Sequence, residues 1–153
     1  MKYLFIIMDQ NNSARYGIGT YVSELINCFD ITEYRINVVE LFSPIGNYER
    51  QESEHIKYYM IPFPDGYSSK NWNKSRNSSY LKSVFYLLAS RIPGNAEVYC
   101  HFNIPYYQTL GELFKEKFGA KVILTLHYMS WSFELLGDRA KMEKIIACPE
   151  NRK

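Results

Sequence analysis

The sequence predicts an α/β fold: a doubly wound, mostly parallel sheet of about five or more strands flanked by helices. Three observations carry that reading. Short apolar runs rich in β-branched and aromatic residues recur along the chain. Stretches with apolar residues at helical spacing alternate with most of them. The first run, KYLFIIM at residues 2–8, is apolar almost throughout, as expected of a strand covered on both faces. The 153 residues suit one domain, 1–153, with a single substantial core.

Residues 2–8 form the first strand, and a polar stretch, 9–16, follows it. Ile18, Val22, Leu25, Ile26 and Phe29 recur every three or four residues and predict a helix over 18–29 with one apolar stripe. Residues 35–42 (RINVVELF) are a second strand, broken by Ser43-Pro44 and Gly46-Asn47. Residues 56–61 (IKYYMI) are a third, stopped by Pro62 and Pro64. The link 43–55 carries no helical stripe, and a parallel crossover usually needs a helix, so this strand is allowed to run antiparallel.

The polar stretch 63–77, punctuated by Pro64 and Gly66, is the expected mobile loop. Ser78 or Ser79 is expected to cap the next helix, which buries Leu81, Val84, Phe85 and Leu88 and ends at Pro93-Gly94. Residues 97–102 (EVYCHF) are the fourth strand. Pro105 opens a helix that buries Tyr107, Leu110, Leu113 and Phe114 and stops at Gly119. Residues 121–126 (KVILTL) are the fifth strand. A loop holding Trp131 then leads to a last short helix, 138–146.

Composition narrows the function. Eighteen basic against sixteen acidic residues give a net charge of +2, with none of the concentrated basic surface that a nucleic-acid partner requires. The apolar run at 3–8 is too short for a signal core or a membrane span. Cys28, Cys100 and Cys148 are odd in number and widely spaced, which fits free thiols in a reducing cytoplasm. A zinc site on Cys100, His101 and His127 lacks the paired ligand spacing that such sites show. The 14 Tyr and 9 Phe serve packing in an α/β core, although sugar-binding proteins use the same side chains.

Sheets of this class bind ligands at the carboxyl ends of their strands, where strand order reverses. Three features fall on that edge: the turn Tyr16-Gly17-Ile18-Gly19-Thr20, His101 ending strand four, and His127 ending strand five. Glycines let backbone approach a ligand, and the first N–H groups of the following helix favour an anion. The same glycines also permit a tight start to the helix. Either imidazole alone has an ordinary structural reading; their shared placement with the glycine turn favours a ligand cleft. Trp131 and Glu134 follow strand five on the same edge, suited to stacking on a sugar and accepting its hydroxyls, or to packing under the loop. His55 lies outside this cluster and reads as a surface residue.

The segment Tyr16-Gly17-Ile18-Gly19-Thr20-Tyr21-Val22-Ser23-Glu24-Leu25 resembles the Gly-Ile-Gly-x-Tyr-x-x-x-Leu motif of the retaining family 4 glycosyltransferases. Glu97-Val98-Tyr99-Cys100-His101-Phe102 is similar to their fourth-strand segment, and Val122-Ile123-Leu124-Thr125-Leu126-His127 to their Val-x-Thr-x-His strand. The three matches come in that family's order and cover nearly the whole chain. The resemblance implies the N-terminal, acceptor-side, Rossmann-like half of a two-domain GT-B hexosyltransferase. By that resemblance Gly17, Ile18, Gly19 and Thr20 lie near the donor diphosphate and the attacking hydroxyl. The resemblance likewise puts His127 near the transferred sugar, as the expected catalytic residue, and His101, Trp131 and Glu134 are the residues expected to bind the acceptor.

No metal or other cofactor is expected, since positive side chains and helix N-termini stabilise the leaving diphosphate. The partners implied are a nucleotide-sugar donor, held with a C-terminal domain outside these residues, and a glycan or lipid-linked acceptor of polysaccharide biosynthesis. Tyr67 and Trp72 alternate with Lys70, Lys74 and Arg76, a mix suited to an anionic membrane surface or to a solvated loop. A cytoplasmic protein, peripheral at the inner face of the membrane, is the matching expectation. Where the family often has Asp after the strand-five histidine, this chain has Tyr128. The segment is not expected to turn over alone.

Two other readings compete. Gly17-x-Gly19 with Glu40 ending strand two resembles a dinucleotide-binding fingerprint of an oxidoreductase, but Val22 occupies the third glycine position. A truncated remnant that binds an acceptor or partner without chemistry is the non-enzymatic reading.

Overall fold

The computed structural model describes residues 1–9, 17–44, 49–64 and 73–127, with positions 138, 140, 143 and 144. In chain order the elements are β1 (Lys2–Asp9), α1 (Ile18–Asn27), β2 (Tyr34–Ser43), β3 (Glu49–Gln51), β4 (Ile56–Pro62), α2 (Lys74–Ala89) and β5 (Glu97–Phe102). A 3-10 turn (Pro105–Tyr107) then runs into α3 (Gln108–Phe118), and β6 (Lys121–Leu124) follows. The strands form one six-stranded sheet in the order β3-β4-β2-β1-β5-β6. All neighbours are parallel except β3, which runs antiparallel to β4. This is a Rossmann-like α/β fold, as the sequence predicts.

Alternation along each strand sends side chains to two faces. On one face Leu4, Ile6, Met8, Ile36 and Val38 pack against Ile18, Val22 and Ile26 of α1. On the other, Phe5, Ile7, Val39, Leu41, Cys100 and Phe102 pack under α2 and α3, which contribute Leu81, Val84, Phe85, Leu88, Leu110 and Phe114. Each fully buried Leu, Ile or Phe among these contributes about 1.5–3 kcal/mol. β1 is central, and residues 4–9 are buried throughout. Gly119, at φ 62°, takes the left-handed conformation that ends α3 and turns the chain into β6.

Several expectations are corrected. The third predicted strand, β4, is parallel to β2. The chain reverses direction through β3, which lies beyond β4 on the sheet's margin, so a short returning strand does the work of a crossover helix. Helix α2 starts at Lys74 and not near residue 78; its cap is Asn73, whose Oδ1 accepts from the Arg76 N–H at 3.0 Å. Residues 73–77 therefore belong to the cap and first turn of a helix, and not to a loop. β6 ends at Leu124, before the predicted limit, although the Thr125 N–H still donates to the Phe102 carbonyl at 2.9 Å. Helix α1 ends at Asn27, short of Phe29. His55 is only half exposed, with Nδ1 sealed from solvent and unbonded.

The sheet's two margins differ. At β3, Glu49 pairs with Lys57 and, at 2.9 Å, with Arg91. At β6, Val122, Ile123 and Leu124 are 44%, 51% and 49% exposed. No helix among the described residues is long and apolar enough to cross a membrane. Of the final helix predicted at 138–146, Ala140, Glu143 and Lys144 are helical, Asp138 is not, and the rest lies outside the described residues.

Candidate functional site

Strand order reverses between β1 and β5: the chain leaves β1 through α1 toward β2, and reaches β5 and β6 through α2 and α3 on the opposite face. A crevice forms at the carboxyl ends of strands flanking such a reversal. Gly17, Ile18, Gly19, Thr20, His101 and His127 all sit there. Gly17 is the N-cap of α1 at φ 67°, a left-handed conformation that costs a glycine nothing, and among the described residues no side chain caps the helix. The first N–H groups of α1 therefore face the sheet edge without a side-chain acceptor. Ile18 is buried in the α1 core, while Gly17 and Thr20 are exposed.

His101 pairs in register with Ile6 and so faces α1, where it is 5% exposed. Its Nε2 lies 2.7 Å from the Thr125 hydroxyl. His127, half buried just beyond β6, has Nε2 2.9 Å from Asn103 Oδ1. Asn103 is 3% exposed and extends the β1–β5 ladder, its N–H donating to the Ile7 carbonyl at 3.1 Å. Tyr21, one turn into α1, stands edge-on to both imidazoles, with ring centroids 4.6 Å from His127 and 6.2 Å from His101. Burial lowers the pKa of both histidines from the ordinary value of 6.5, and His127 as a like charge lowers that of His101 further. Both rings are therefore neutral at neutral pH. The site can accept and donate hydrogen bonds to neutral hydroxyls from its imidazoles, and offer helix N–H groups to an anion.

Glu40, near the end of β2, lies on the same face beside Met8. Burial raises its carboxyl pKa, an effect that Arg50 opposes and Asp9 reinforces. Asp9, 8% exposed, faces the other way and accepts a hydrogen bond from the Tyr107 hydroxyl at 2.8 Å. A groove of about 500 Å³ between α3 and β6, lined by Ile104, Gly111, Val122 and Leu124, also opens on that opposite face and does not include the imidazoles.

Trp131, Glu134, Tyr16 and Tyr128 lie outside the described residues, as do Tyr67, Lys70 and Trp72. Lys74 and Arg76 sit in the first turn of α2. The Cys100–His101–His127 zinc site is excluded by geometry. Neighbours on a strand point to opposite faces, and Cys100 packs in the core under α2 and α3. Burial pushes the Cys100 thiol well up, whereas Cys28 is exposed; Cys148 is outside the described residues. Sequence reasoning passed over Tyr21, Asn103 and Thr125 as site residues. Asn103 and Thr125 were visible only as polar side chains beside predicted strand ends, and Tyr21 as the aromatic position of the glycine-turn motif.

No protein-family model matches the chain, and no curated protein does. Among solved structures, sucrose-phosphate synthase from Thermosynechococcus elongatus, a GT-B glycosyltransferase, is similar at a TM-score of 0.61 and 11% identity, over 95% of this chain. The chain spans 39% of that protein's length. The C-terminal domain of a hydrogenase from Pyrococcus furiosus matches at a TM-score of 0.49 and 13% identity, covering 82% of this chain and 92% of its own, too loosely to inform the fold. The sheet and its flanking helices are thus those of a Rossmann-like α/β domain, similar in fold to part of that synthase.

Proposed function

We propose that the chain is the N-terminal, acceptor-side domain of a retaining GT-B hexosyltransferase of the family 4 type. It works with a donor-binding domain to move a sugar from a nucleotide-sugar onto a glycan or lipid-linked acceptor. The observation that supports this reading is the meeting of an uncapped, glycine-opened helix with two neutral imidazoles at the sheet's reversal point. In the proposed reaction the acceptor hydroxyl attacks the anomeric carbon as its bond to the diphosphate breaks. The departing diphosphate oxygen takes the hydroxyl proton on the same face. His127 holds a donor-sugar hydroxyl, His101 lies on the acceptor side, and the N–H groups at the start of α1 face the developing negative charge. No metal enters this scheme. Trp131 and Glu134 remain assigned to the acceptor.

The dinucleotide reading is disfavoured by packing. Val22, at the position where that fingerprint needs its third glycine, is 3% exposed between α1 and β1 and holds the helix off the sheet. Titrating the isotope-labelled chain with acceptor oligosaccharides, and separately with NADH, tests the assignment. Saccharides should shift the amides of Gly17, Tyr21, His101 and His127, and NADH should not. Saturable NADH binding at the glycine turn with no saccharide response would overturn it.

A cytoplasmic protein with peripheral contact at the inner membrane face is part of the proposal, supported by Lys74 and Arg76 at the start of α2. Pelleting with anionic vesicles should fall when both are changed to Glu, and equal, negligible pelleting of both proteins ends that part.

A further inference from the structure

The geometry points to Asn103 as a positioning residue that fixes His127 as its Nε2–H tautomer, leaving Nδ1 as the ring's hydrogen-bond acceptor toward ligand. The deduction starts at the Ile7 carbonyl, which can only accept. Asn103 Nδ2 lies 3.3 Å from it, and the Asn103 backbone N–H donates to the same oxygen at 3.1 Å. The opposite amide orientation would set two oxygens against each other in a buried place, so Nδ2 faces Ile7 and Oδ1 faces His127. Oδ1 also can only accept. The 2.9 Å contact with His127 Nε2 therefore requires the proton to be on Nε2.

Among the described residues His127 bonds through Nε2 to Asn103, and no hydrogen bond reaches its Nδ1. With the proton on Nε2, Nδ1 of this half-buried ring is a lone-pair acceptor. His101 is not fixed in this way, because its contact is a hydroxyl, Thr125 Oγ, which can donate or accept. The two imidazoles look alike in sequence and differ in what they can offer. His127 takes a hydrogen bond from a ligand O–H or N–H, and is unsuited to donate to a phosphate oxygen from its open nitrogen. The clamp stands on the protein's own bonds; only its use in holding a sugar hydroxyl rests on the transferase reading.

Long-range proton–nitrogen correlation spectra of the ligand-free 153-residue chain at neutral pH read the tautomer directly. The wild type should show His127 with Nε2 protonated and Nδ1 bare. Asn103→Ala should let the Nδ1–H form appear for His127 while the His101 signals stay in place. A wild-type His127 protonated on Nδ1 overturns the inference even if no variant folds, as does an Asn103→Ala spectrum with the tautomer unmoved. Loss of saccharide binding with the Nε2–H form intact would instead count against the function proposed above.

Discussion

The Tyr21 ring meets the His127 imidazole edge-on, at 4.6 Å between centroids and 74° between planes. One ring comes from the first turns of α1 and the other from the segment just after β6, so the contact ties the helix proposed to face an anion to the imidazole proposed to hold a sugar. Aromatic contacts of this geometry contribute about 0.5–1.5 kcal/mol beyond burial. In the enzyme assembled with its donor-binding domain, Tyr21→Phe should keep turnover near wild type. Tyr21→Ala should lower it about tenfold or more, because a loosened ring no longer holds its partner in place. Steady-state sugar transfer by the three proteins is the check.

Removing the imidazole itself should cost more. His127→Ala is expected to lower kcat by about two to four orders of magnitude in the same assay, the range for a group acting on the transition state. A near-normal kcat removes His127 from the mechanism.

The two histidines also set a pH response of stability. Their native pKa values lie below 6.5, so as pH falls the unfolded chain takes up these protons first. Stability is therefore fully present above the ordinary histidine range and declines as pH drops from about 7 toward 5, levelling once the native rings protonate. Glu40 works the other way, since its raised carboxyl sheds an unfavourable buried charge on acidification. The urea midpoint should fall across that window, and His101→Gln/His127→Gln should flatten the fall. An identical slope in the double variant would show that the histidines do not carry it.

Gly119 tests the local backbone. A Cβ there would meet nothing within 4 Å, so only the left-handed φ of 62° opposes a side chain. Gly119→Ala should lower stability by about 1–2 kcal/mol, seen in urea unfolding.

The parallel sheet was legible because its strands are apolar on both faces, and β1, β2, β4 and β5 begin and end within two residues of their predicted limits. β3 was not, because Glu49-Arg50-Gln51 is short and polar and shows no alternation. The start of α2 was misplaced for a related reason: its first turn, Lys74 to Asn77, has no apolar face to reveal a helical period. In the site, the convergence of His101, His127 and the glycine turn follows from topology, since parallel strands end on one edge. The parts played by Asn103 and Thr125 depend on register between strands 24 residues apart, and spacing along the chain does not encode that. Trp131 and Glu134 fall outside the described residues, so their assignment rests on sequence.

The unlike margins of the sheet make the molecule directional. Short, charged edge strands resist adding a neighbour, and β3 with its ion pairs is one of these. Among the described residues β6 has no outer neighbour, and its edge is flanked by the half-exposed Val122, Ile123 and Leu124, which invites one. A neighbour added to this sheet is expected to join at β6 in preference to β3. Handling at high concentration should accordingly improve with a charge placed on that side and be indifferent to one placed on the other.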